Sequence, residues 1–151
     1  MGRADAPGPD PPGGLPAAGL STDGVRAYFV AARGLSDAEA VALCGAHTLG
    51  RWTSLVGLSR ACLRELTDDC LYAEGRRLPF VRDPDAFTNS YFRYLLAWDA
   101  QTIRKEDAHF IPTDVVLTLD PEFRKWVEVY ANDQQLFFRN FSSAYTKLVA
   151  F

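Results

Sequence analysis

Apolar side chains recur along this chain at three- and four-residue spacing, and from Thr22 onward nearly every such run predicts a helix. Thr22 or Asp23 can cap a first helix that places Val25, Tyr28, Phe29 and Ala32 on one face and stops at Gly34. Ser36 followed by Glu39 is a capping box, and the helix it opens runs through Val41 and Leu43 to Gly45. Residues 52–86 are less regular. A helix near Ser59–Leu71 is expected there, then a loop carrying Gly75, Pro79 and Pro84. Asn89 or Thr88 caps a helix with Tyr91, Phe92, Leu95 and Leu96. Asp120-Pro121 is a strong helix start, with Phe123, Val127 and Tyr130 on its inner face. The last helix begins near Asp133 and carries the stripe Phe137, Phe141, Ala144, Tyr145, Leu148. No run alternates with a two-residue period, so the expected class is all-α. Residues 1–20 hold most of the prolines and are expected to form an extended strap ahead of a helical domain over 21–151, with an inserted segment near 53–75.

Composition adds that a core is affordable within one domain: 151 residues, 48% hydrophobic and 13% aromatic. The formal charge of −3, with no long run of either sign, argues against a nucleic-acid partner. No apolar stretch approaches the roughly 20 residues that span a bilayer. The first residues have neither an apolar signal core nor an Arg/Ser-rich amphipathic helix, so a targeting peptide is expected to be absent or already removed. Cys44, Cys62 and Cys70 are too few for a disulfide framework and form no CxxC pair. Buried thiols in a reducing compartment are the favoured reading, with a Cys62–Cys70 bridge left open.

Three stretches, in order, resemble the class I haem peroxidases, the ascorbate and cytochrome c peroxidase kind. Leu35-Ser36-Asp37-Ala38-Glu39, running on through Leu43-Cys44-Gly45-Ala46-His47-Thr48-Leu49-Gly50-Arg51, is similar to their proximal-histidine motif. Phe87-Thr88-Asn89-Ser90-Tyr91-Phe92 is similar to the following helix start. Ile111-Pro112-Thr113-Asp114, with Asp120-Pro121-Glu122-Phe123 and Tyr130-Ala131-Asn132-Asp133 behind it, is similar to their C-terminal helices. Gly2-Arg3-Ala4-Asp5 and Gly14-Leu15-Pro16 look like the linker between the family's two domains. The resemblance implies a haem b proximal pocket in which His47 is the iron ligand and Asp114 the carboxylate that accepts its other N–H. Phe80 then stands where the family carries its proximal tryptophan; Trp52, too near His47, is the weaker alternative.

The departures shape the functional expectation. The family's peroxide-cleaving arginine and histidine have no counterpart in this chain, and His109, the only other histidine, reads as a loop residue rather than a substitute acid–base. Phe80 has no N–H and is hard to oxidise. Thr48 survives from the family's potassium ligands, but Val81 and Thr88 replace oxygen donors. A hard cation wants about six, so potassium is not expected. Gly57–Ala73, with Arg60, Leu63, Arg64 and Leu66, extends the family's loop and suggests docking. The favoured expectation is a catalytically impaired accessory or scaffold subunit, meeting protein partners through residues 1–20 and 57–73. The alternative is a hydrogen-peroxide-dependent peroxidase whose distal half lies elsewhere. The resemblance implies a plastid, mitochondrion or cytoplasm, an organelle being preferred.

Overall fold

Ser21 caps the first helix, one residue earlier than the sequence suggests: its Oγ accepts the Gly24 N–H at 3.2 Å. In this computed structural model, which describes residues 8, 16–54, 59–65, 68–104 and 107–150, that helix (α1, Thr22–Val25) widens into a π turn over Arg26–Ala31. The turn closes with the Ala32 N–H on the Ala27 carbonyl, and Gly34 then ends the run at φ 63°, a conformation glycine adopts without strain. The capping box forms as expected. Ser36 Oγ accepts the Glu39 N–H at 3.2 Å and Glu39 returns a carboxylate oxygen to the Ser36 N–H at 2.9 Å, opening α2 (Asp37–Cys44). A single 3₁₀ turn, Gly45–Thr48, follows and carries His47.

The next stretch departs from the all-helical expectation. Arg51–Ser54 (β1) and Arg76–Pro79 (β2) pair antiparallel, Trp52 opposite Leu78. Four-residue strands are too short to show a period, so only the ladder itself reveals them. Between them the expected single helix is two short ones, α3 (Arg60–Glu65) and α4 (Asp68–Glu74). A Cys62–Cys70 disulfide joins them, in place of the free thiols favoured from sequence, and Ser59 donates its N–H and Oγ–H to Glu74. Leu66 and the side chain of Leu63 lie outside the described residues, as do most of residues 1–15 of the strap. The strap's last residues are tied down: Thr113 donates Oγ1–H to the Ala18 carbonyl at 2.7 Å and accepts the Leu20 N–H at 3.0 Å.

Four helices complete the chain: α5 (Ser90–Asp99), α6 (Pro112–Leu119), α7 (Pro121–Asn132) and α8 (Gln134–Val149). Among the described residues the fold is all-α apart from the small ladder; α7 packs against α2, α5, α6 and α8, and α2 also packs on α8. Asn89 begins α5 but spends its amide on the Tyr130 and Ala131 carbonyls, both at 3.0 Å, locking α5 to the end of α7. Phe123, Val127 and Tyr130 are fully buried, as their spacing predicts. The α8 stripe is buried only at Phe137 and Ala144; Tyr145 is 52% exposed. Phe92, Tyr130 and Phe137 form an aromatic cluster. Gly45 touches it so closely that a Cβ there would lie 2.7 Å from Phe92 and Phe137 ring atoms. Among the described residues no helix is long and apolar enough to cross a membrane.

Arg26 ties three elements together, donating to Asp37 and Asp120, each at 2.8 Å, and lying 4.2 Å over the Phe123 ring. Asp120 Oδ1 also accepts the Glu122 and Phe123 N–H groups at 3.0 Å, capping α7. Partial burial pushes the Asp120 carboxyl up, but the Phe123 N–H and Arg26 outweigh it and hold it below its ordinary value. Asp120→Ala is expected to cost about 1–2 kcal/mol at neutral pH. Because the folded-state value is depressed, this stabilisation is present above the ordinary carboxylate range and lost as pH falls through the folded value. Thermal melts of parent and variant should therefore converge between pH 7 and pH 3. Gly45→Ala is expected to overpack the aromatic cluster and cost about 1–3 kcal/mol, read by denaturant midpoint.

Candidate proximal histidine site

The 3₁₀ turn after α2 carries the His47 ring to the first turn of α6. There its Nδ1–H donates to Asp114 Oδ1 at 2.8 Å. Asp114 is fully buried, and a carboxylate so placed needs donors to offset its lost hydration. It has two more: the Tyr91 hydroxyl at 2.8 Å on the same oxygen, and the Ile111 N–H at 3.0 Å on Oδ2. The last of these lies at the amino end of α6, where the helix dipole favours negative charge. In the neutral imidazole, an acceptor on Nδ1 assigns that nitrogen the proton and leaves Nε2 with the lone pair. Among the described residues Nε2 has no hydrogen-bond partner, and the His47 side chain is 32% exposed.

Phe80, the residue after β2, lies flat on the imidazole, ring centroids 3.9 Å apart and planes within 6°. Trp52 is not beside His47 in this way; its Nε1–H donates to the His109 carbonyl at 3.0 Å. The structure therefore brings His47, Asp114 and Phe80 together and assigns Trp52 to the ladder. Tyr91 is the site residue that sequence reasoning placed only in the core face of α5. The available signal was Phe80 itself, which cannot donate to Asp114 and so leaves room for a donor from another residue. Burial, and then the Asp114 charge, push the Tyr91 phenol well above its ordinary value, so it remains a donor.

His47 also lines a cavity of about 370 Å³ with Phe29, Leu43, Ile111, Phe141 and Leu148 around it. The strap end at Pro16–Ala18 and the exposed Tyr145 complete its rim. Cys44 shares the lining, but burial and the nearby Asp114 raise its thiol far above the ordinary range, so it presents no thiolate. One lone-pair nitrogen beside an apolar, partly open cavity fits one face of a flat apolar ring system with a metal at its centre. Thr48 is buried, with its hydroxyl 3.0 Å from Ser90 Oγ, which also accepts from Thr88. Val81 is buried, and among the described residues no group of three or more His, Cys, Asp or Glu could hold a metal ion.

Residues 1–133 match the peroxidase family, and the chain belongs to it, within the class I haem peroxidases. It is 41% identical over 147 residues to the cytosolic L-ascorbate peroxidase 1 of Oryza sativa subsp. japonica, covering 97% of this chain and 50% of that one. It is 34% identical over 161 residues to the mitochondrial cytochrome c peroxidase of Yarrowia lipolytica, covering 98% of this chain and 42% of the other. The chain thus spans about half the length of the curated relatives it matches.

Replacing Asp114 with Ala is expected to strand the His47 and Tyr91 donors. The destabilisation should be at least about 1–3 kcal/mol in thermal melts, and an unchanged melting point would contradict a buried pair.

Proposed function

We propose that this chain is the haem-holding proximal half of a class I haem peroxidase unit, with His47 as the iron ligand, Asp114 its carboxylate partner and Phe80 packed on the imidazole face. The observation that carries this reading is the His47–Asp114 hydrogen bond, made by a fully buried carboxylate from a residue 67 positions away. Haem b, when bound, supplies the redox-active iron that reacts with hydrogen peroxide. The chain's own residues orient and tune. Asp114 keeps the proton on Nδ1, giving the imidazole partial anionic character, and Tyr91 and the Ile111 N–H donate to the same carboxylate and fix its orientation. The apolar lining excludes water from one side of the ring. The proton shuttle and the positive charge that peroxide cleavage needs would be supplied by a distal arginine and histidine that are not among these 151 residues. No potassium ion is part of the proposal.

A second reading, an accessory or scaffold subunit retained in a larger assembly, is supported by Phe80. A phenyl ring cannot donate to Asp114 and is much harder to oxidise than the tryptophan of the family pattern. In this reading protein partners contact residues 1–20 and 57–73, and the compartment is a plastid or mitochondrion in preference to the cytoplasm.

Titrating the 151-residue chain with haemin separates the two. Half an enclosure supplies about half of the apolar burial, so weak binding with a Soret shift that His47→Ala abolishes is expected. Absence of any His47-dependent shift would favour the accessory subunit.

A further inference from the structure

We propose that His109 is a positioning residue for His47, acting through the backbone of Pro79 and Phe80; its functional meaning rests on the proximal-ligand reading above. His47 is held in two ways, on its edge by Asp114 and on its face by Phe80. The edge contact is anchored by a helix. The face contact depends on a residue that has just left a four-residue strand, and such a residue needs something else to set its backbone.

His109 supplies it from three directions. Its N–H donates to the Phe80 carbonyl at 3.2 Å. Its Nδ1–H donates to the Pro79 carbonyl at 3.1 Å, the proton being on Nδ1 because a carbonyl only accepts. Its own carbonyl accepts Trp52 Nε1–H at 3.0 Å, and Trp52 pairs with Leu78 in the ladder. The segment that does this is itself fixed: Ala108 is buried, and the Phe110 ring lies edge-on to Tyr91 and Trp98. It also leads directly into the first turn of α6, where Asp114 sits. One short segment therefore sets both the edge and the face of the imidazole. A loop histidine with no such task would have no reason to bond the carbonyl adjoining the residue stacked on His47.

The test uses the haem-free 151-residue chain. The protein has two histidines, so in any His109 variant the remaining imidazole Cε1–H signal in the proton NMR spectrum belongs to His47. A phenyl ring stacked flat on the imidazole displaces that signal, and Phe80→Leu gives its unstacked position. His109→Leu keeps both backbone bonds but loses the bond to Pro79, and should move the His47 signal toward the Phe80→Leu position. In His109→Asn the side-chain amide can donate from nearly the same point as Nδ1, and the signal should return to the parent position. A loss of stability alone would not restore the signal in this way. The proposal is overturned if His109→Leu leaves the signal at the parent position, or if His109→Asn moves it as far as His109→Leu does. Haemin titration of the parent is read separately, so failure of haem binding and failure of positioning are distinct results.

Discussion

A single buried carboxylate governs the arrangement of this fold. Asp114 is removed from water, and in that setting an unpaired charge would be expelled or protonated. Three donors satisfy it: an imidazole from the turn after α2, a phenol from α5, and a backbone N–H at the start of its own helix. Each donor belongs to a different element, so the anion fixes the relative register of α2, α5 and α6. Apolar packing alone would tolerate small slides among these helices; a hydrogen bond of 2.8 Å to a charged group does not.

The imidazole inherits that order. One nitrogen is spent on Asp114, one face is covered by Phe80, and the rotational freedom a solvent-facing histidine would keep is removed. Tyr91 donates to the oxygen that His47 also bonds, so the carboxylate has a second side-chain donor although the stacked Phe80 ring has no polar atom. Cys44, close enough to feel the same charge, is held as a thiol by burial first and by Asp114 second. Burial and the same anion thus act in one direction on two neighbours, Tyr91 and Cys44.

Much of this was legible in the residues, wherever the signal was local. The Ser36–Glu39 box, the Asp120-Pro121 start and the 3.6-residue stripes of α5 and α7 needed only spacing and capping chemistry. His47, Phe80 and Asp114 were legible through resemblance, because nothing in a linear pattern couples positions so far apart. The ladder was not legible, since four residues carry no period, nor was the Cys62–Cys70 bond that joins two short helices where one was expected. Tyr91 and His109 were missed for a related reason. A tyrosine on an apolar stripe and a histidine in a loop look ordinary until their partners are known.

The ladder separates length from geometry. His47 and Phe80 are 33 positions apart in the chain (80 − 47), yet Arg51 faces Pro79 across the paired strands, so the chain leaves the site and returns at one place. The described helices between the strands, α3 and α4, are held together by the disulfide, and Ser59 is tied to Glu74. Lengthening a loop whose ends are already clamped adds little closure entropy. Residues could therefore accumulate or disappear in that appendage over evolutionary time while the stacked pair of rings stays where it is.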